Sequence, residues 1–121
     1  KEGLAEEGRA FEVTRFELSD LDRAIAENNT SGFVQVLTEP GSDRLLGVTI
    51  VAPHAGEMLS EFVLAMRWGL GLNKILSTVH AYPTWSEANK RVAGVWRQKS
   101  KPEWALDILK RYFAWRRGKA Q

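Results

Sequence analysis

An α+β domain, with helices packed on one face of an antiparallel sheet, is the fold class predicted by this 121-residue sequence. Two observations predict it. Segments of period two precede segments of period 3.6, so strands do not alternate with helices as a parallel sheet requires. The cluster Glu39-Pro40-Gly41-Ser42-Asp43 joins two of the strands, which is a hairpin signature. The length suits one domain, and strand-count priors suggest about three to five strands.

The elements follow in order. Phe11-Glu12-Val13-Thr14-Arg15-Phe16 alternates apolar and polar, as a half-buried strand does. Ser19-Asp20-Leu21-Asp22 starts a short helix with Ala24 and Ile25 on one side. Residues 32–38 form a second strand. Residues 44–52 form a third that is nearly all apolar, which predicts a central position. From Pro53, placed in a first helical turn, Met58, Leu59, Phe62, Val63 and Met66 recur at three and four, an amphipathic helix ending at Gly69-Leu70-Gly71. A short turn of helix covers 73–76, and another helix runs from Pro83 to about Gln98. Ser100-Lys101-Pro102-Glu103 has the pattern of a capping box. It opens a last helix through Arg117, with Trp104, Ile108, Tyr112 and Trp115 on one stripe.

Composition narrows the function. The balance of 44% hydrophobic and 26% charged residues is that of a soluble globular protein. No apolar run of about 18 residues exists, so no transmembrane segment is expected, and no secretory signal is seen. Cysteine is absent, which removes disulfides, thiolate metal sites and a cysteine nucleophile; the expected location is cytoplasmic. The first residue is Lys1, which suggests a piece of a longer chain. Net charge is +2 but uneven: residues 1–89 carry 7 Lys+Arg and 13 Asp+Glu, and residues 90–121 carry 10 and 2. Such a basic end is either a solvated helix face or a contact for nucleic acid or membrane.

The chemistry-bearing residues concentrate in Val79-His80-Ala81-Tyr82-Pro83-Thr84-Trp85-Ser86-Glu87. An aromatic hydroxyl stands directly before a proline, where a cis bond costs only about 0.5–1 kcal/mol over trans; the Tyr82-Pro83 bond is expected to be cis. Thr84 to Glu87 also fits a capping box, with Thr84 as cap, and Tyr82 also fits a packed aromatic with a surface hydroxyl. His80 suits an interface histidine as well as a site residue. His54 and Glu57 sit one turn apart without a clear third ligand, so no metal site is assigned. Five tryptophans, at 68, 85, 96, 104 and 115, exceed what a small core can bury, which predicts that helical surface is covered by a second subunit or domain.

Over about residues 32–94 the sequence resembles the C-terminal dimerisation domain of the pyridine nucleotide-disulfide oxidoreductases, in the style of dihydrolipoamide dehydrogenase or mercuric reductase. The matching residues are Gly32-Phe33-Val34, Leu46-Gly47, Pro53-His54-Ala55-Gly56-Glu57 and Tyr82-Pro83-Thr84-Trp85-Ser86-Glu87, the last against a His-Pro-Thr-x-x-Glu pattern. The resemblance implies one dimerisation domain over 1–121, truncated at its N-terminus, with a core at about 10–98 and a helical extension at about 102–117. It implies a homodimer of a flavin-dependent NAD(P)H:disulfide or metal-ion oxidoreductase, in which this domain completes the partner's active site. Tyr82, Glu87 and His80 are then the catalytic-site candidates, and Pro83 lies beside the cofactor. FAD and NAD(P)H belong to the parent enzyme, held by its own FAD and NAD domains. The fragment is expected to be inactive and to hold no cofactor, because it contains neither a Gly-x-Gly-x-x-Gly fingerprint nor redox cysteines. No nucleic acid is expected as partner.

Most relatives carry histidine where this chain has Tyr82. A phenol, with a pKa near 10, donates hydrogen bonds at neutral pH but accepts protons poorly. The interface is expected to be apolar and to use the helices at 54–69 and 83–98. The rival reading is a stand-alone α+β interaction module that places its basic C-terminal helix on a membrane or nucleic acid.

Overall fold

The computed structural model describes residue 3 and residues 7–118. Three strands form one antiparallel sheet in the order β1 (Glu12–Glu17), β2 (Phe33–Thr38), β3 (Leu45–Val51). A 3₁₀ turn (Leu18–Asp20) and helix α1 (Asp22–Ala26) link the first two strands. After β3 come α2 (Ala55–Arg67), α3 (Leu72–Ser77), α4 (Glu87–Lys99) and α5 (Glu103–Gly118). The α+β class expected from the order of periods is therefore the observed one.

The alternation of side chains explains why one sheet face takes the helices. Thr14 and Phe16 of β1 and Val34 and Val36 of β2 are buried, while Val48 and Ile50 of β3 pack against the same cluster. Phe62 and Met58 of α2, Leu72 and Ile75 of α3, and Val92 and Trp96 of α4 close this core. The register Val34↔Ile50 and Val36↔Val48 keeps these inward positions opposite one another.

Gly32 and Gly69 are held by geometry for different reasons. A Cβ on Gly32 would lie 2.0 Å from the Val51 carbonyl oxygen, and its φ of +125° is open to few other residues. The start of β2 thus passes against the end of β3 only because the side chain is missing. Gly69, at φ +66°, ends α2: its N–H donates to Met66 O and that of Leu70 to Ala65 O at 2.7 Å, a Schellman closure. Asp43 ties the hairpin to α3, its carbonyl accepting from Leu72 N–H and its carboxylate from Asn73 N–H.

Several sequence expectations are corrected. β2, not the apolar β3, is the central strand; β3 is an edge strand here, with Thr49 and Val51 exposed. Ile25 is exposed although its neighbour Ala24 is buried. Helix α2 begins after Pro53, at Ala55, and its apolar stripe is divided: Met58, Phe62 and Ala65 are buried, while Leu59, Val63 and Met66 are exposed. Helix α4 begins at Glu87 rather than Pro83. The Ser100 hydroxyl donates back to Trp96 O at the end of α4; the expected capping box with Glu103 involves a side chain outside the described residues. Of the tryptophans, 85 and 96 are buried and 68, 104 and 115 are exposed.

Candidate functional site

Beyond α3 the chain turns extended, and the His80 ring is driven inward, its side chain only 6% exposed. Its Nε2 lies 2.8 and 3.0 Å from the two Glu61 oxygens and its Nδ1 3.0 Å from Thr78 O. Both partners are acceptors, and a neutral imidazole has only one N–H. Asn89, fully buried on α4, donates through Nδ2 to Glu61 Oε2 and to Met58 O, each at 2.8 Å. One polar junction thus fastens the segment after α3 to both α2 and α4.

Two residues further on, the Tyr82-Pro83 peptide is cis, as expected from the sequence. Tyr82 is 68% exposed. Its phenol is held above the ordinary tyrosine value, first by a hydrogen bond to Asp22 and then by that carboxylate's charge; Glu87 adds to the effect and Arg91 opposes it. The hydroxyl is therefore a donor throughout the neutral range. Below it, Thr84 donates from its hydroxyl to Ala81 O at 2.6 Å, and its backbone N–H donates to Glu87 Oε2 at 3.3 Å. Only half of the capping box forms: the glutamate reaches back, but the threonine hydroxyl closes its own loop instead of capping α4. Arg23 of α1 donates to Pro83 O at 3.4 Å, and pairs with Glu27, which follows the end of that helix.

The structure thus brings Tyr82, Pro83, Thr84 and Glu87 into one short loop. His80 has its ring nitrogens turned to Glu61 and Thr78. Glu87 and His80 meet again in a cleft of about 460 Å³, lined also by Phe16, Leu76 and Arg91. Asp22, Glu61 and Asn89 were not visible as site residues in the sequence. Asp22 and Glu61 lie far from Tyr82 and His80 along the chain, and Asn89, though close in sequence, is joined to His80 only through Glu61. Among the described residues no group of three or more His, Asp or Glu is arranged to hold a metal ion, so His54 and Glu57 remain without a third ligand.

The outer side of α2 carries the exposed half of its divided stripe. Gly56, Leu59, Ser60, Val63, Leu64 and Arg67 line a shallow, largely apolar depression of about 380 Å³ there. Val63 is 57% and Leu64 58% exposed.

A profile of the pyridine nucleotide-disulphide oxidoreductase dimerisation domain matches residues 1–93. The chain belongs to this family. It is 41% identical over 93 residues to dihydrolipoamide dehydrogenase of Chaetomium thermophilum, covering 77% of this chain and 18% of that protein. It is 41% identical over 88 residues to the mitochondrial dihydrolipoyl dehydrogenase of Caenorhabditis elegans, covering 73% and 18%. Among solved structures, the HOCl-induced flavoprotein disulfide reductase RclA from Escherichia coli superposes with a TM-score of 0.73 at 21% identity, over 78% of this chain and 22% of that one; this is a likeness of fold. The chain spans about a fifth of the length of the curated relatives it matches. No helix among the described residues is long and apolar enough to cross a membrane.

Proposed function

We propose that this chain is the interface domain of a homodimeric oxidoreductase that uses FAD and NAD(P)H to reduce a disulfide or a metal ion, and that residues 80–87 complete the partner subunit's active site. In this reading residues 1–121 are one dimerisation domain, with its core at about 10–98 and a helical extension at about 102–117. The observation that carries the proposal is the exposed Tyr82 hydroxyl, kept protonated beside Asp22 on a loop fastened by Thr84 and Glu87. A loop so braced, in a domain whose family is named for dimerisation, presents a fixed donor to a neighbouring subunit.

The residues here do not fit a cofactor by themselves. The described sheet is antiparallel, with no strand, glycine-rich turn and helix to cradle a pyrophosphate. Other parts of the parent protein would hold FAD and NAD(P)H, and Pro83 would only close one side of that site. Tyr82 would turn its single O–H from Asp22 to the thiolate or substrate across the interface as the subunits meet, and does not act as a base. Glu87 holds the loop at the Thr84 N–H. His80 is a positioning residue, locking the segment to Glu61. Pairing uses the apolar outer face of α2, around Leu59 and Val63, which water covers in a single copy.

The test is Tyr82→Phe in the full-length parent enzyme. Oxidation of the reduced enzyme by its acceptor should slow, while its reduction by the nicotinamide cofactor stays nearly unchanged. Full turnover with every acceptor tried would reduce Tyr82 to a surface aromatic.

A further inference from the structure

Helix α5 lies beyond residue 93, where the family match ends. We propose that it is an interfacial helix that lies flat on an anionic lipid surface. Sixteen residues at about 1.5 Å each give about 24 Å, shorter than the ~20 residues a span needs, so the helix can lie along a bilayer surface but not cross it. Trp104, Ile108, Leu109, Tyr112 and Phe113 fall on one broad arc of the helix and are all 47–66% exposed. The Tyr112 ring also contacts Phe113 and Trp115, with centroids 5.6 and 6.2 Å away. Among the described residues, none of the buried core comes from α5.

Charge selects the occupant. Residues 97–121 carry 8 Lys+Arg against 2 Asp+Glu, while residues 1–96 carry 9 against 13. The cations concentrate where the apolar arc is, and the acidic body is repelled from the same surface. A second copy of α5 would bring an equally cationic helix into contact. A nucleic acid would engage the cations but leave the apolar arc in water. An anionic bilayer satisfies both: the arc enters the acyl boundary by about 5–10 Å, while Lys110 on the far side, Arg111 at the arc's edge and Arg116, within the arc near the helix end, extend their charged heads to the headgroups. Tryptophan and tyrosine suit that boundary because each has an apolar body and a polar tip. Lys110 is also near Asp107, at 4.0 Å, but both are so exposed that this pair contributes little.

The experiment is cosedimentation of the 121-residue chain with vesicles of phosphatidylcholine alone or in equal parts with phosphatidylglycerol. Binding to the anionic vesicles should exceed binding to the neutral ones by about tenfold or more and weaken as salt rises. Lys110→Glu with Arg111→Glu should remove that preference. Ile108→Asp with Phe113→Asp should abolish binding, with thermal unfolding of the domain unchanged because neither side chain is in the core. The proposal is overturned by equal binding to both vesicles, by no binding to either, or by retention in the Ile108/Phe113 variant. It is also overturned if duplex DNA is bound in place of vesicles, or if that variant abolishes self-association of a chain that ignores vesicles.

Discussion

Replacing Asn89 by aspartate changes a single group, from NH₂ to oxygen, at the centre of the buried junction. The amide now donates to Glu61 Oε2 and Met58 O, both at 2.8 Å. An ionised replacement would face two acceptors, one of them a carboxylate, at zero exposure. Breaking such an arrangement in a dry interior costs about 3–5 kcal/mol. The Glu61 side chain is 27% exposed, so the lower end, about 3 kcal/mol, is the expected loss. At about 2–8 °C per kcal/mol for domains of this general size, the unfolding midpoint should drop by roughly 6–24 °C. The cost should be recovered in part by adding Glu61→Gln, whose amide can donate to the introduced carboxylate while its carbonyl still accepts from His80. Urea and thermal unfolding of the wild type, both single variants and the double variant form the cycle that isolates the coupling. Were Asn89→Asp to lie within 1 kcal/mol of wild type, or the double variant no better than the single, the junction would not hold α2, α4 and the site segment together as described.

Gly32→Ala should be severely destabilising, because its Cβ would sit 2.0 Å from the Val51 carbonyl oxygen, and soluble yield with the unfolding midpoint reports it. Gly69→Ala, with open space around it but φ at +66°, should cost only about 1 kcal/mol in the same assay. Tyr82 has a folded pKa above that of the unfolded chain, so its contribution to stability is complete below about pH 10 and is lost as pH rises through the folded value. The phenolate absorbance missing from Tyr82→Phe should titrate above pH 10, and Asp22→Asn should bring it down; a component already ionised below pH 10 would refute the Asp22 contact. Val63→Asp should shift the chain toward monomer in sedimentation without lowering stability, since Val63 is exposed in one copy.

The elements were legible where a residue's role is local. The hairpin at Pro40-Gly41, the end of α2 at Gly69 and the cis bond at Pro83 follow from turn chemistry carried by a few adjacent residues. Strand order was not, because the apolar run of β3 looks like a strand buried on both faces, whereas pairing across the sheet puts β2 in the middle. The start of α4 was placed too early because Thr84 has two uses for one hydroxyl, and Ala81 O takes it. Of the site, Tyr82 and Glu87 stood out from the motif, but Asp22 and Glu61 come from two other helices, and Asn89, on the same helix as Glu87, meets the site only through Glu61. Only folding brings them near. The divided stripe of α2 is a related case: periodicity reports that a helix is apolar, not how many neighbours share its circumference.

Glu61 and Val63 are two residues apart on α2, one turned to His80 and the other to the outside. In the proposed dimer this makes α2 a common datum, because the segment bearing Tyr82 is indexed to the same rigid rod that meets the second subunit. A sideways slip of one subunit on the other by an ångström would carry the phenol by the same ångström relative to its target. The tolerance of the assembled site would then be set by the fit of Leu59 and Val63 across the two-fold axis, and not by the suppleness of the loop. Selection for reach at Tyr82 would accordingly leave its mark on the outer face of α2.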